Sequence, residues 1–199
     1  MATLTALRRA RAGRVTLELD GEPWRTVPDE VVVRCGLHAG LTLDRPRLRL
    51  LRTELRRAES LATAARALAQ RPLSRRQVSE RLRRRGVAPR VERETLGTLA
   101  AVGLVDDARL ARAHAAELAD RGWGDLAIAE RLRREGLEEA EVRAALADLP
   151  PEAGRAAALV ADISEPRKAW SLLARRGFSP DASEGALGAL DAEDRRGLG

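Results

Sequence analysis

The order of apolar and polar positions divides the chain into a short alternating start and a long helical remainder. Residues 13–20 alternate so that Val15, Leu17 and Leu19 share one face of a strand. Asp20-Gly21 is a tight hairpin turn signal, and 22–27 reads as the return strand. Pro28-Asp29-Glu30 suits a helix start, which predicts a short helix over 29–35 that Gly36 ends. Beyond Gly40, Asp44-Arg45-Pro46 marks another start, and no Gly or Pro then interrupts the chain up to Gln70. One long helix or two consecutive ones are expected there.

The rest of the chain carries a degenerate repeat, visible when Gly86, Gly136 and Gly177 are aligned. Four residues before each glycine stands Leu82, Leu132 or Leu173, and eight before stands Val78, Ile128 or Ala169. Directly after each comes Val87, Leu137 or Phe178. Ten and thirteen after come Leu96 and Leu99, Leu146 and Leu149, or Leu187 and Leu190. Positions eight and four before share a helical face, the glycine ends that helix, and the apolar residue after it packs back. A second apolar face follows, and each unit has a further helix in front: up to Gln70, then 107–120, then 152–162. Ser74 with Gln77 forms a capping box, and Asp106 is a candidate N-cap. The expected fold is all-α: tandem three-helix, helix-turn-helix-like repeats in an extended curved array, after a small N-terminal β-hairpin and short helix. The divisions expected are an N-terminal extension over 1–45, repeats over 46–105 and 106–150, and a third over 151–199 with a frayed tail from Asp191.

Composition narrows the class. The chain has 199 residues, 44% of them hydrophobic and 33% charged, enough to bury a core. It has no run of about 18 apolar residues and no apolar signal core at its start, so a cytoplasmic protein without membrane contact is expected. The single cysteine, Cys35, suits a reducing compartment. The formal charge of +6 hides an asymmetry: +4 over residues 1–60, +7 over 61–105, −4 over 106–150 and −1 over 151–199. A basic first half points to nucleic acid or an acidic protein surface. Trp24, Trp123, Trp170 and Phe178 are the only aromatics, too few for a stacking platform on single strands.

Catalytic and metal chemistry find no footing. His38 and His114 lie in different segments without a Cys/His ligand spacing, and the lone lysine, Lys168, stands outside any phosphate-binding loop. Asp106-Asp107 point about 100° apart on a helix and suit capping better than paired acid–base work. No enzyme activity, cofactor or metal is expected. The site-like feature is arginine: Arg75, Arg76, Arg83 and Arg84 around the helix whose core face is Val78 and Leu82, and Arg133 and Arg134 opposite Ile128 and Leu132. These six are the candidate contacts to protein or DNA, against the plainer reading of a solvated arginine face. Unit three keeps Arg167 and Arg175, but Ala174 interrupts the pattern. A helix-turn-helix DNA-binding transcriptional regulator is the alternative. It is disfavoured because the third helix of unit two opens on Glu138, Glu139 and Glu141, which repel phosphate.

Certain ordered motifs resemble the RecX family of bacterial regulatory proteins. They are Leu73-Ser74 through Leu82, Arg85-Gly86, the run Val102-Gly103-Leu104-Val105-Asp106-Asp107 on to Ala111, Arg121-Gly122-Trp123-Gly124, and Ile128 through Leu137. The similarity runs from about Arg14 to Leu190, and the hairpin at Asp20-Gly21 resembles an extension seen in part of that family. It departs most in unit three, where Ser164-Glu165-Pro166 is an unusual helix start and Ala169 is small for its core position. The resemblance implies a modular protein, expected as a monomer, lying in the groove of the RecA filament on DNA. It implies inhibition of filament growth, ATP hydrolysis and strand exchange, with weak, non-specific binding to single- or double-stranded DNA.

Overall fold

The computed structural model describes the backbone of residues 2–197 and the side chains of residues 2–188. The tail expected from Asp191, and Leu190 at the last repeat position, have side chains outside the described residues.

Three strands open the chain: β1 (Ala2–Ala10), β2 (Arg14–Leu19) and β3 (Glu22–Pro28). The expected hairpin is β2–β3, with Asp20 at φ 51° and Gly21 at φ 92°, the left-handed pair a two-residue hairpin turn needs. Helix α1 (Asp29–Arg34) follows and then a short strand, β4 (Thr42–Leu43). The sheet order is β3-β2-β1-β4, antiparallel throughout, so the hairpin forms one side of a larger sheet with β3 at its edge. Strand β1 was not foreseen because Leu4 and Leu7 lie three apart, an odd spacing that simple alternation puts on opposite faces. A bulge between Leu4 and Ala6 resets the register, and both leucines reach the same core. Asp20 also holds β1 in place, accepting from the Thr3 amide at 2.9 Å while its own amide donates to Thr3.

Among the described residues nine helices follow α1. Helix α2 (Arg45–Leu68) is one unbroken helix, capped by the Asp44 carboxylate accepting from the Arg47 amide. Then come α3 (Arg75–Arg84), α4 (Pro89–Ala101), α5 (Asp107–Asp120), α6 (Asp125–Arg134) and α7 (Glu139–Ala147). The last three are α8 (Glu152–Val160), α9 (Pro166–Arg176) and α10 (Pro180–Gly197). The chain falls into two compact units, Met1–Arg71 with Val78–Leu104, and Pro72–Gln77 with Val105–Gly199. In the first, Leu4, Leu17, Val27 and Val31 pack with Leu51 and Leu55 of α2. In the second, Leu110, Ile128, Leu132 and Val142 centre one cluster, and Val160, Ala169, Leu173 and Phe178 another.

The repeated glycine has the same physical role three times. Gly86, Gly136 and Gly177 sit at φ 71°, 85° and 72°, where a side chain is strained. The amide after each one donates back across the helix end, from Val87 to Leu82, from Leu137 to Leu132 and from Phe178 to Leu173. That bond and the apolar contact with it explain why the positions four before and one after the glycine are both apolar. Leu82, Leu132 and Leu173 are fully buried, as are Ile128 and Ala169.

Within the second unit the glycine turns also serve as docking points. Ser74, twelve residues before Gly86, donates its hydroxyl to the carbonyl of Glu135, just ahead of Gly136. Gly124, twelve before Gly136, donates its amide to Arg176, and Leu126 donates to Gly177. The start of one repeat's middle helix thus seats on the glycine turn of the next. In the third repeat the corresponding residue is Glu165, followed by Pro166, which has no amide hydrogen to donate.

Candidate functional site

The arginines singled out by sequence lie on α3 and α6, and all six are exposed. Helix α3 begins with the expected capping box: Ser74 Oγ accepts from the Gln77 amide at 3.2 Å, and Gln77 Oε1 from the Ser74 amide at 3.3 Å. The Arg75 amide is satisfied from another helix, by Asp107 Oδ1 at 2.8 Å. Asp106 caps its own helix through the Arg109 amide. The acidic pair is therefore spent on helix starts, one local and one remote. Burial raises the Asp107 carboxyl above its ordinary range, while the Arg75 amide pulls it down.

The guanidiniums of Arg83, Arg84, Arg133 and Arg134 are matched by carboxylates within the chain. Arg83 Nε reaches both oxygens of Glu92, at 2.9 and 3.2 Å. Glu92 is only 4% exposed and also accepts from the Ser79 hydroxyl at 2.6 Å. The Arg83 hydrogen bond holds the Glu92 carboxyl below the usual carboxylate range; burial opposes this and Ser79 supports it. Arg84 lies 3.6 Å from Glu80, Arg134 lies 3.0 Å from Glu130, and Arg133 forms a fork on Glu139 at 2.9 and 3.0 Å. Arg76 is placed differently from a side chain that simply projects away from its helix. Its aliphatic stem lies over Gly136, where a Cβ would come within 2.6 Å of Arg76 Cδ. The structure thus brings Arg76 against the turn that follows Arg133 and Arg134. Arg83 and Arg84 belong to the other compact unit.

A second set of arginines, absent from the sequence-based candidates, meets in the first unit. Arg14 and Arg25 come from β2 and β3, Arg56 and Arg66 from α2, and Arg85 from the turn between α3 and α4. They line an open groove of about 870 Å³ together with one carboxylate, Glu59. Among the described residues no carboxylate is within ion-pair distance of these five. Arg14 donates to the Thr26 carbonyl and Arg66 to the Ala62 carbonyl, both main-chain. The only hint in the sequence was the net charge of the first 105 residues. Strand β3 packs beside α2, and no periodicity within either element foretells that.

Among the described residues no helix is long and apolar enough to cross a membrane. The fold and its charged surfaces define a mostly helical protein of glycine-punctuated three-helix groups behind an N-terminal sheet. No protein-family profile matches the chain. It is 36% identical over 144 residues to the regulatory protein RecX of Halorhodospira halophila, covering 67% of this chain and 89% of that one. It is also 36% identical over 135 residues to RecX of Thermobifida fusca, covering 61% and 73%. A crystal structure of a regulatory protein RecX superposes with a TM-score of 0.79 at 21% identity, covering 92% of this chain and 98% of that one. The chain belongs to the RecX family of regulatory proteins.

Proposed function

We propose that this protein acts in the cytoplasm as a monomeric regulator of the RecA recombinase. It binds the RecA filament on DNA and restrains filament growth, ATP hydrolysis and strand exchange. The observation that carries the reading is the similarity to proteins called regulatory protein RecX over most of their length. Surface chemistry supports it: Arg75, Arg76, Arg83, Arg84, Arg133 and Arg134 are exposed, and the four that pair with carboxylates of the chain, Arg83, Arg84, Arg133 and Arg134, can trade those partners for carboxylates of an acidic RecA face. Weak, sequence-independent contact with DNA belongs to the same reading, since guanidiniums pair with phosphate whatever the base. The test is RecA-catalysed ATP hydrolysis on single-stranded DNA, titrated with the protein from substoichiometric to excess. A falling rate is expected; a rate unchanged throughout the titration sinks the proposal.

A further inference from the structure

The groove of the first unit differs in chemistry from the arginine faces. On α3 and α6 the guanidiniums of Arg83, Arg84, Arg133 and Arg134 already have carboxylates. The groove is lined by five arginines and one carboxylate, and the guanidiniums of Arg25, Arg56 and Arg85 have no hydrogen-bond or ion-pair partner among the described residues. Three separate elements, the sheet, α2 and the α3–α4 turn, contribute them, so the charge is assembled by the tertiary fold and is not a by-product of one arginine-rich helix. Same-sign charge gathered around a concave surface focuses its field and costs stability through self-repulsion unless an anion relieves it.

The lining indicates which anion. Guanidinium forks fit phosphate oxygens two at a time. The groove has no aromatic side chain on which a base would stack, and its exposed apolar atoms come from small residues such as Ala62 and Ala88. Leu55, Ala58 and Val91 are buried, which leaves no open pocket for the apolar anchors that hold a peptide. We propose that this groove holds the sugar-phosphate backbone of a nucleic-acid strand, reading charge and not sequence. This deepens the proposed function and rests on its DNA-contact part: it assigns nucleic-acid contact to Arg14, Arg25, Arg56, Arg66 and Arg85.

The test uses the full-length chain without RecA. Binding to labelled oligo(dT), to a duplex of equal length and to polyglutamate is followed by fluorescence anisotropy over a range of salt. Five backbone contacts to a single strand predict a log–log salt slope of about −3.5, and R25A/R56A/R85A should flatten it by about 2. The lysine version, R25K/R56K/R85K, should keep the steep slope. R90A/R112A/R121A removes three exposed, carboxylate-paired arginines and should leave it unchanged. Far-UV circular dichroism checks that each variant is folded. The same slope for wild type and the groove alanine variant, no oligonucleotide binding by the wild type, or displacement of oligonucleotide by equimolar polyglutamate overturns the proposal. Inhibition of RecA is read in its separate assay, so its failure counts against the regulatory reading alone.

Discussion

Two glycine-to-alanine changes should move stability in opposite directions, and the difference isolates what the repeat contacts contribute. Gly124 has an ordinary backbone conformation, φ −83°, so alanine meets no dihedral strain there. Its Cβ, however, would stand 2.3 Å from Phe178 Cα and 2.4 Å from the Gly177 carbonyl carbon. Carbon atoms rest at about 3.5–4.0 Å, so the two backbones must part by more than about 1 Å. That movement breaks the bonds from Gly124 to Arg176, 2.9 Å, and from Leu126 to Gly177, 3.1 Å. Overpacking costs about 1–3 kcal/mol and each lost hydrogen bond about 1 kcal/mol, so Gly124→Ala should lose about 3–5 kcal/mol. Gly97 sits exposed within α4 with nothing near its missing Cβ, and Gly97→Ala should gain about 0.5–1 kcal/mol from backbone entropy. Urea unfolding followed by far-UV circular dichroism checks both, and for Gly124→Ala tryptophan fluorescence adds a signal to which Trp123, next to Gly124 and 5.0 Å from Arg176, contributes. A loss under about 1 kcal/mol for Gly124→Ala would refute the close-approach argument. A loss for Gly97→Ala would show that the sign does not come from local space.

Ser74→Ala removes both the cap on the Gln77 amide and the bond to the Glu135 carbonyl at a fully buried site. A loss of about 2 kcal/mol in urea unfolding is expected, with Ser74→Thr retaining part of it. Glu92 has a depressed folded pKa, so its contribution is present above the ordinary value near 4.3 and is lost as pH falls through the lower folded value. Thermal melts should therefore show Glu92→Gln clearly less stable than wild type near neutrality and the gap closing in acid below about pH 4; a gap independent of pH contradicts the assignment.

The sequence by itself determined the local grammar. The hairpin followed from alternation and Asp20-Gly21, and the start of α2 from Asp44-Arg45-Pro46, while whether one helix or two ran on to Gln70 stayed open until the structure showed one. The helix ends followed from three glycines whose left-handed conformation only glycine adopts cheaply. Each depends on residues within about one helical turn, which is why spacing reveals it. Tertiary structure decided the rest. A bulge made Leu4 and Leu7 core residues, and Asp107 was turned from a neighbour of Asp106 into the cap of a different helix. Of the arginines, periodicity showed which face outward but not which are answered. Arg83 of α3 meets Glu92 of α4, whereas Arg14, Arg25, Arg56, Arg66 and Arg85 line one groove together. Charge compensation depends on distances between elements far apart in the chain, and only the packing of sheet on helix sets those distances.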